Sequence, residues 1–240
     1  MFNGKNFNGW YSARNSKVNS YGVFSVNEDL NAINAYVKEE EGSKQNTDLL
    51  YTDVAYSSYI LKTQYKWGKK RFAPRANFDR DAGLLFHIGE AIVKGWNGWP
   101  DSFEMQIGET EGSATKKDRC HTGDAWIIGL NNTAEIQSTT NFYSPNAAVQ
   151  LFGKDKRFHG CWTSFGKEKP VGEWNDILIK VEGGKKAYFF LNGEKVMELS
   201  NMQTKLNGSD VVVNSGRIGL QAEWAEVYYR NILIKEIPAP

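Results

Sequence analysis

Short runs of β-branched, aromatic and apolar residues recur along almost the whole chain, with turn formers between them and no helical stripe of comparable strength. Thirteen runs read as strands: 23–26, 31–36, 49–56, 59–67, 83–88, 103–107, 125–130, 134–138, 177–181, 187–191, 195–199, 216–221 and 227–235. A small closed barrel would use fewer. The reading is therefore all-β, a two-sheet antiparallel β-sandwich. The clearest hairpin runs from Tyr188 to Met197, because Asn192-Gly193 tolerates the two positive φ angles of a type I′ turn.

A chain of 240 residues is long enough for one β-rich domain or two small ones. No internal repeat or low-complexity linker divides it, which favours one domain over 1–240. Its 8 Trp, 11 Tyr and 13 Phe suit half-buried sheet faces, and 23 Gly against 6 Pro suit many turns. A net charge of +1 without a basic run lacks the footprint of a nucleic-acid binder, so neutral ligands are favoured. No run approaches the roughly 18 apolar residues of a membrane span, and Met1-Phe2-Asn3-Gly4 opens without the pattern of an export signal. Cys120 and Cys161 allow one disulfide or two thiols, and their spacing does not suggest a zinc site.

The strand that carries chemistry lies between Trp99 and Glu109. Phe103, Met105 and Ile107 alternate with Glu104 and Gln106, so the first set faces a core and the second the opposite face. Regular pairing would put Glu109 on the core side. A β-bulge at Gly108 would return it to the side of Glu104, and two carboxylates and an amide would then line one groove. In Asp81-Ala82-Gly83-Leu84-Leu85-Phe86-His87, Leu84 and Phe86 read as core, which turns Gly83, Leu85 and His87 toward that groove. His87 there is an acid, an oxyanion donor or a ligand, or else a hydrogen-bonded histidine on a half-buried face.

Further polar and aromatic residues gather around this strand. His121 and Asp124, three residues apart, join Glu109 as candidate ligands of a divalent metal ion; the plainer reading is an Asp bonded to its own turn. Trp126 opens the next strand. Trp96 and Trp99 sit on a glycine-bearing loop, where indoles stack on sugar rings or plug a core, and Pro100 favours the plug for Trp99. Gln221 and Glu223, two apart, form a second polar edge of the same groove. The long segments 68–81, rich in Lys and Arg, and 108–123 have the length of functional loops. Asp81, Trp96, His121, Asp124, Trp126, Gln221 and Glu223 are the expected substrate-binding set.

Several motifs occur in a characteristic order: Phe2-Asn3-Gly4-Lys5-Asn6-Phe7-Asn8-Gly9-Trp10, Asp81 to Phe86, Glu104-Met105-Gln106-Ile107, Gly172-Glu173-Trp174-Asn175, Leu191-Asn192-Gly193, Ile218-Gly219-Leu220-Gln221 and Tyr229-Arg230-Asn231-Ile232. Together they resemble the 3-keto-disaccharide hydrolase domain family, which has the concanavalin A-like jelly-roll sandwich. The resemblance implies a bacterial, often exported protein acting on glycosides oxidised at C3, and so a periplasmic or extracellular location. Members often show Asn-Ser-Gly where this chain has Asp81-Ala82-Gly83, and an Arg at the position of His87. The strand is also similar to the Glu-x-Asp-x-x-Glu signature of family-16 glucanases, with Gln106 in place of the central Asp.

These residues lead to one expectation and two alternatives. A C3 ketone acidifies the C2 proton, so Glu104 or Glu109 acts as base, with His87, Gln106 or a bound cation stabilising the enolate. Direct hydrolysis by Glu104 and Glu109 is the second route, requiring their carboxyls within the spans known for glycosidases. The third is a non-catalytic, lectin-like module in which Trp96, Gln106, His87 and Gln221 recognise a glycan.

Overall fold

The computed structural model describes residues 1–13, 22–89, 99–109 and 121–238. In chain order its strands are β1 (Trp10–Ser12), β2 (Phe24–Asn27), β3 (Ala32–Ala35), β4 (Asp48–Thr52), β5 (Ser58–Arg71) and β6 (Asp81–Ile88). Then come β7 (Ser102–Gly108), β8 (Ala125–Ile128), β9 (Thr133–Thr139), β10 (Phe142–Tyr143), β11 (Val149–Gly153) and β12 (Phe158–Cys161). The last are β13 (Asn175–Glu182), β14 (Lys186–Leu191), β15 (Glu194–Leu206), β16 (Ser209–Val212), β17 (Arg217–Ala222) and β18 (Ala225–Glu236). There is no helix among the described residues, and none is long and apolar enough to cross a membrane.

Two antiparallel sheets make the sandwich. One has seven strands in the order β1-β4-β17-β6-β7-β8-β12. The other has eleven, with the path β10-β9-β15-β14-β13-β5-β18-β3-β2 and β11 and β16 paired to β9 and β15 off it. All thirteen anticipated runs overlap strands, and 49–56 and 125–130 run past the ends of β4 and β8. The β14–β15 hairpin turns at Asn192 and Gly193 with φ of 49° and 89°, as a type I′ turn requires.

The main core fills the space between the sheets. Phe103, Met105 and Ile107 of β7 are fully buried there beside Leu84 and Phe86 of β6, each contributing about 1.5–3 kcal/mol by leaving water. A smaller cluster, Leu49, Leu85, Ile88, Trp99 and Ile128, lies apart from it, with half-buried Tyr51 and Trp126 packed against it. Strand alternation places this second cluster on the outer face of the seven-stranded sheet. Trp99 is thus a plug, but of this outer cluster. Cys161 is a buried free thiol, pushed up to about 12 by burial; Cys120 lies outside the described residues.

The bulge sits elsewhere than anticipated. β6 and β7 pair without interruption from Asp81↔Gly108 to Phe86↔Phe103, so Gly108 inserts no extra residue. The register shift lies instead between β6 and β17, where Arg217 pairs Ile88 and Gly219 pairs Leu85. Phe86 and His87 therefore both stand opposite Ile218, and His87 takes a φ of 50°. That extra residue turns His87 inward beside Phe86 and returns Ile88 to the outer cluster.

Candidate active site

Four central strands of the seven-stranded sheet set the floor of a pocket on its outer face. Gly83 pairs Gln106, Leu85 pairs Glu104, and Glu104 in turn pairs Trp126, so these side chains stand in adjacent rows. An isolated bridge joins Asp81 to Glu223 at the end of β17. The resulting cavity, about 400 Å³, is lined by Arg75, Asp81, Trp99, Glu104, Gln106, Trp126, Phe158 and Glu223. Gly83 makes room for it. A Cβ there would collide with Oε1 of Glu104 and Oε1 of Gln221, so both side chains lie over the bare backbone of β6.

Two acids meet one guanidinium in this floor, and a third, Glu104, lines the same cavity. Arg75 Nη1 donates to Asp81 Oδ2 at 2.6 Å and to Glu223 Oε1 at 3.2 Å. The Gln106 amide donates to the other Asp81 oxygen, to Ala82 O at 2.9 Å and to Ile107 O at 3.2 Å, which fixes both side chains. Burial raises the Asp81 carboxyl, with Arg75 opposing. Burial and then the Asp81 charge lift Glu223 well above the usual carboxylate range. Glu104 is lifted likewise by burial, then by the charges of Glu223 and Asp81, while the Gln221 amide opposes. Carboxyls raised in this way bind a proton more tightly than ordinary ones and are the stronger bases once ionised.

The structure brings together Asp81, Glu104, Gln106, Trp126, Gln221 and Glu223 from the anticipated set and separates the others. Glu109 continues the regular alternation and faces the opposite side of the sheet from Glu104. It is buried against Arg80 Nη1 at 2.7 Å and Arg71 Nη2 at 3.1 Å, and it accepts the Arg80 backbone N–H at 3.0 Å. His87 packs its ring against Phe86 and Phe103 and bonds through Nε2 to Gly183 O at 3.0 Å, at a turn of the opposite sheet. Burial lowers it to about 4, so it is a neutral core residue. Trp96 lies outside the described residues.

The three candidate metal ligands form no common cation site among the described residues. Asp124 is buried, accepting the backbone N–H of Thr163 at 2.6 Å and of His121 at 2.8 Å, so it braces its own turn. Glu109 is committed to two arginines. Among the described residues no three His, Cys, Asp or Glu side chains are grouped as a cation would need. Arg75 is the pocket residue that residue-by-residue reading does not single out. Its segment, 68–81, stood out as a basic loop, although 68–71 prolong β5 and only 72–80 form the loop.

This pocket can be set beside known proteins. The family described as the 3-keto-alpha-glucoside-1,2-lyase-like domain matches residues 1–235. The chain belongs to that family. Its membership covers both sheets and every residue of the pocket. Among solved structures, the chain resembles a candidate glycosyl hydrolase from Parabacteroides distasonis ATCC 8503, with TM-score 0.56 and 18% identity over 99% of this chain and 92% of that one. A second candidate glycosyl hydrolase from that organism gives TM-score 0.52 and 16% identity over 95% and 99%. Carbohydrate-binding module CBM66 from Bacillus subtilis gives 0.49 and 9% over 95% and 96%. At these identities the likeness concerns the fold alone. A search of curated proteins gives no match.

Proposed function

We propose that the protein cleaves glycosides whose sugar carries a ketone at C3, by elimination across C1 and C2. The observation that supports this most is the pocket floor itself, where Asp81 and Glu223 pair with one guanidinium and Glu104 lines the same cavity with Trp99, Trp126 and Phe158. Glu104 has no ion pair among the described residues, and its raised carboxyl makes it the base. Its carboxylate takes the proton from C2, and the electron pair moves into a C2–C3 double bond with the negative charge on the former ketone oxygen. Arg75 offsets that charge. The enolate then collapses, restoring the ketone, forming C1=C2 and breaking the C1–O bond, while Glu223 supplies the proton that lets the aglycone leave as an alcohol. Addition of water at C1 completes net hydrolysis. The half-buried Trp126 indole offers an apolar platform on which a sugar ring stacks.

A direct two-carboxylate route through Glu104 and Glu109 finds no support, because the two stand on opposite faces of the sheet. The assay uses ordinary disaccharides and their 3-keto counterparts, with the native protein and Glu104→Gln. Turnover confined to keto sugars, reduced about 10²–10⁴-fold in the variant, is the expected result. Equal turnover of both sugar types would favour direct hydrolysis using Asp81 or Glu223. Saturable binding without turnover would leave a lectin-like module.

A further inference from the structure

Glu109 lies at the mouth of the loop that delivers Arg75. Residues 72–80 cross from β5 in one sheet to β6 in the other, and the loop's two stems are Arg71 and Arg80. One carboxylate grips both. Oε1 accepts Arg80 Nη1 at 2.7 Å, Oε2 accepts the Arg80 backbone N–H at 3.0 Å, and Arg71 Nη2 reaches Oε2 at 3.1 Å and Oε1 at 3.3 Å. The main chain repeats the link, since the Glu109 N–H donates to Arg80 O at 2.9 Å. Arg80 Nη2 further donates to Lys69 O at 3.0 Å, tying the exit stem back to β5.

Within the loop, Arg75 stands four residues from one stem and five from the other, held by the turn Arg75 N–H to Phe72 O at 2.9 Å. Its guanidinium bridges Asp81, which directly follows Arg80, and Glu223. An ion pair with one carboxylate and two guanidiniums, in which Glu109 and Arg80 side chains are only 4% and 8% exposed, is a stiff joint.

We infer that Glu109 is a positioning residue whose carboxylate closes the stem of the β5–β6 loop and so sets Arg75 against Asp81 and Glu223. Its link to catalysis rests on the elimination reading above. The guanidinium stabilises the developing enolate only when held in place, so loosening the stem lowers the rate of the chemical step more than it weakens binding.

The test compares native protein, Glu109→Gln, Glu109→Asp and Arg71→Met on a 3-keto disaccharide, alongside trypsin cleavage after Arg75 followed by mass spectrometry. Glu109→Gln is expected to lower kcat about 10-fold with KM within about twofold, and to speed cleavage at Arg75 about 10-fold. Glu109→Asp should recover part of both. In the background of Arg75→Lys, Glu109→Gln should cost little more, because both act through one group. If Glu109→Gln does not fold, Arg71→Met removes only the half-exposed strut and should give a smaller change in both readouts. Unchanged kcat and unchanged cleavage in a folded variant overturn the inference. A native protein with no turnover sinks the elimination reading alone, because the trypsin readout still decides whether Glu109 holds the loop.

Discussion

Glu104 and Glu109 lie five residues apart at nearly equal burial, 4% and 5% exposed, yet they live in opposite electrostatic worlds. Glu104 faces two other acids across a floor with one guanidinium, so ionising it is unfavourable. Glu109 faces two guanidiniums and a backbone N–H, and its charge is compensated. Burial alone therefore does not decide how a carboxyl ionises. The balance of partners does, and an odd number of residues along a regular strand is enough to reverse it.

The sharpest way to break the contrast is to neutralise each acid in turn. Glu104→Gln should abolish most cleavage of keto sugar yet raise stability at neutral pH by about 1–2 kcal/mol, since a costly buried acid is removed. The sign follows from a folded carboxyl held above its unfolded value. Stability falls as pH rises past the ordinary carboxylate range, so the variant's advantage in urea melts should widen from pH 4.5 to 7. Glu109→Ala should do the reverse, destabilising by about 3–5 kcal/mol because Arg80 is left buried without its partner. A Tm equal to that of the native protein would erase the distinction.

Two smaller effects refine it. His87 is held near 4 in the folded state against about 6.5 unfolded, so its term is fully present above 6.5 and is lost as pH falls toward 4. Across that window it amounts to about 3 kcal/mol, and His87→Asn, which tolerates the positive φ, should flatten the acid side of the stability profile accordingly. Gly83→Ala should cost about 1–3 kcal/mol and displace Glu104, lowering kcat without touching the Glu109 side of the sheet. A fully active Gly83→Ala protein would mean that the base is not where Glu104 lies.

Period-two alternation carried the fold and the floor of the pocket. From Phe103 to Ile107 every inward position is apolar and every outward one polar, so Glu104 and Gln106 can be placed from residues alone. Strands without that contrast went unseen: β16 is exposed at all four residues, and β10 has only two. His87 was turned the wrong way because a bulge adds one residue to the count. Its enabling partner, Gly216, where a Cβ would strike the His87 backbone, is distant in sequence. Glu109 was displaced by the converse error, a bulge assigned to Gly108 where pairing is regular. Arg75 lies within the basic 68–81 segment, but an irregular loop has no period from which to choose it over Arg71 or Arg80.

Phe158 stands on β12, the last strand of its sheet, 43% exposed at the rim of a cavity whose acids come from the centre. A border position of this kind can be exchanged without disturbing the buried acids of the floor. Descendants of this protein can thus alter the width of the cavity's entrance by remodelling the margin, while the buried acids at its floor are inherited intact.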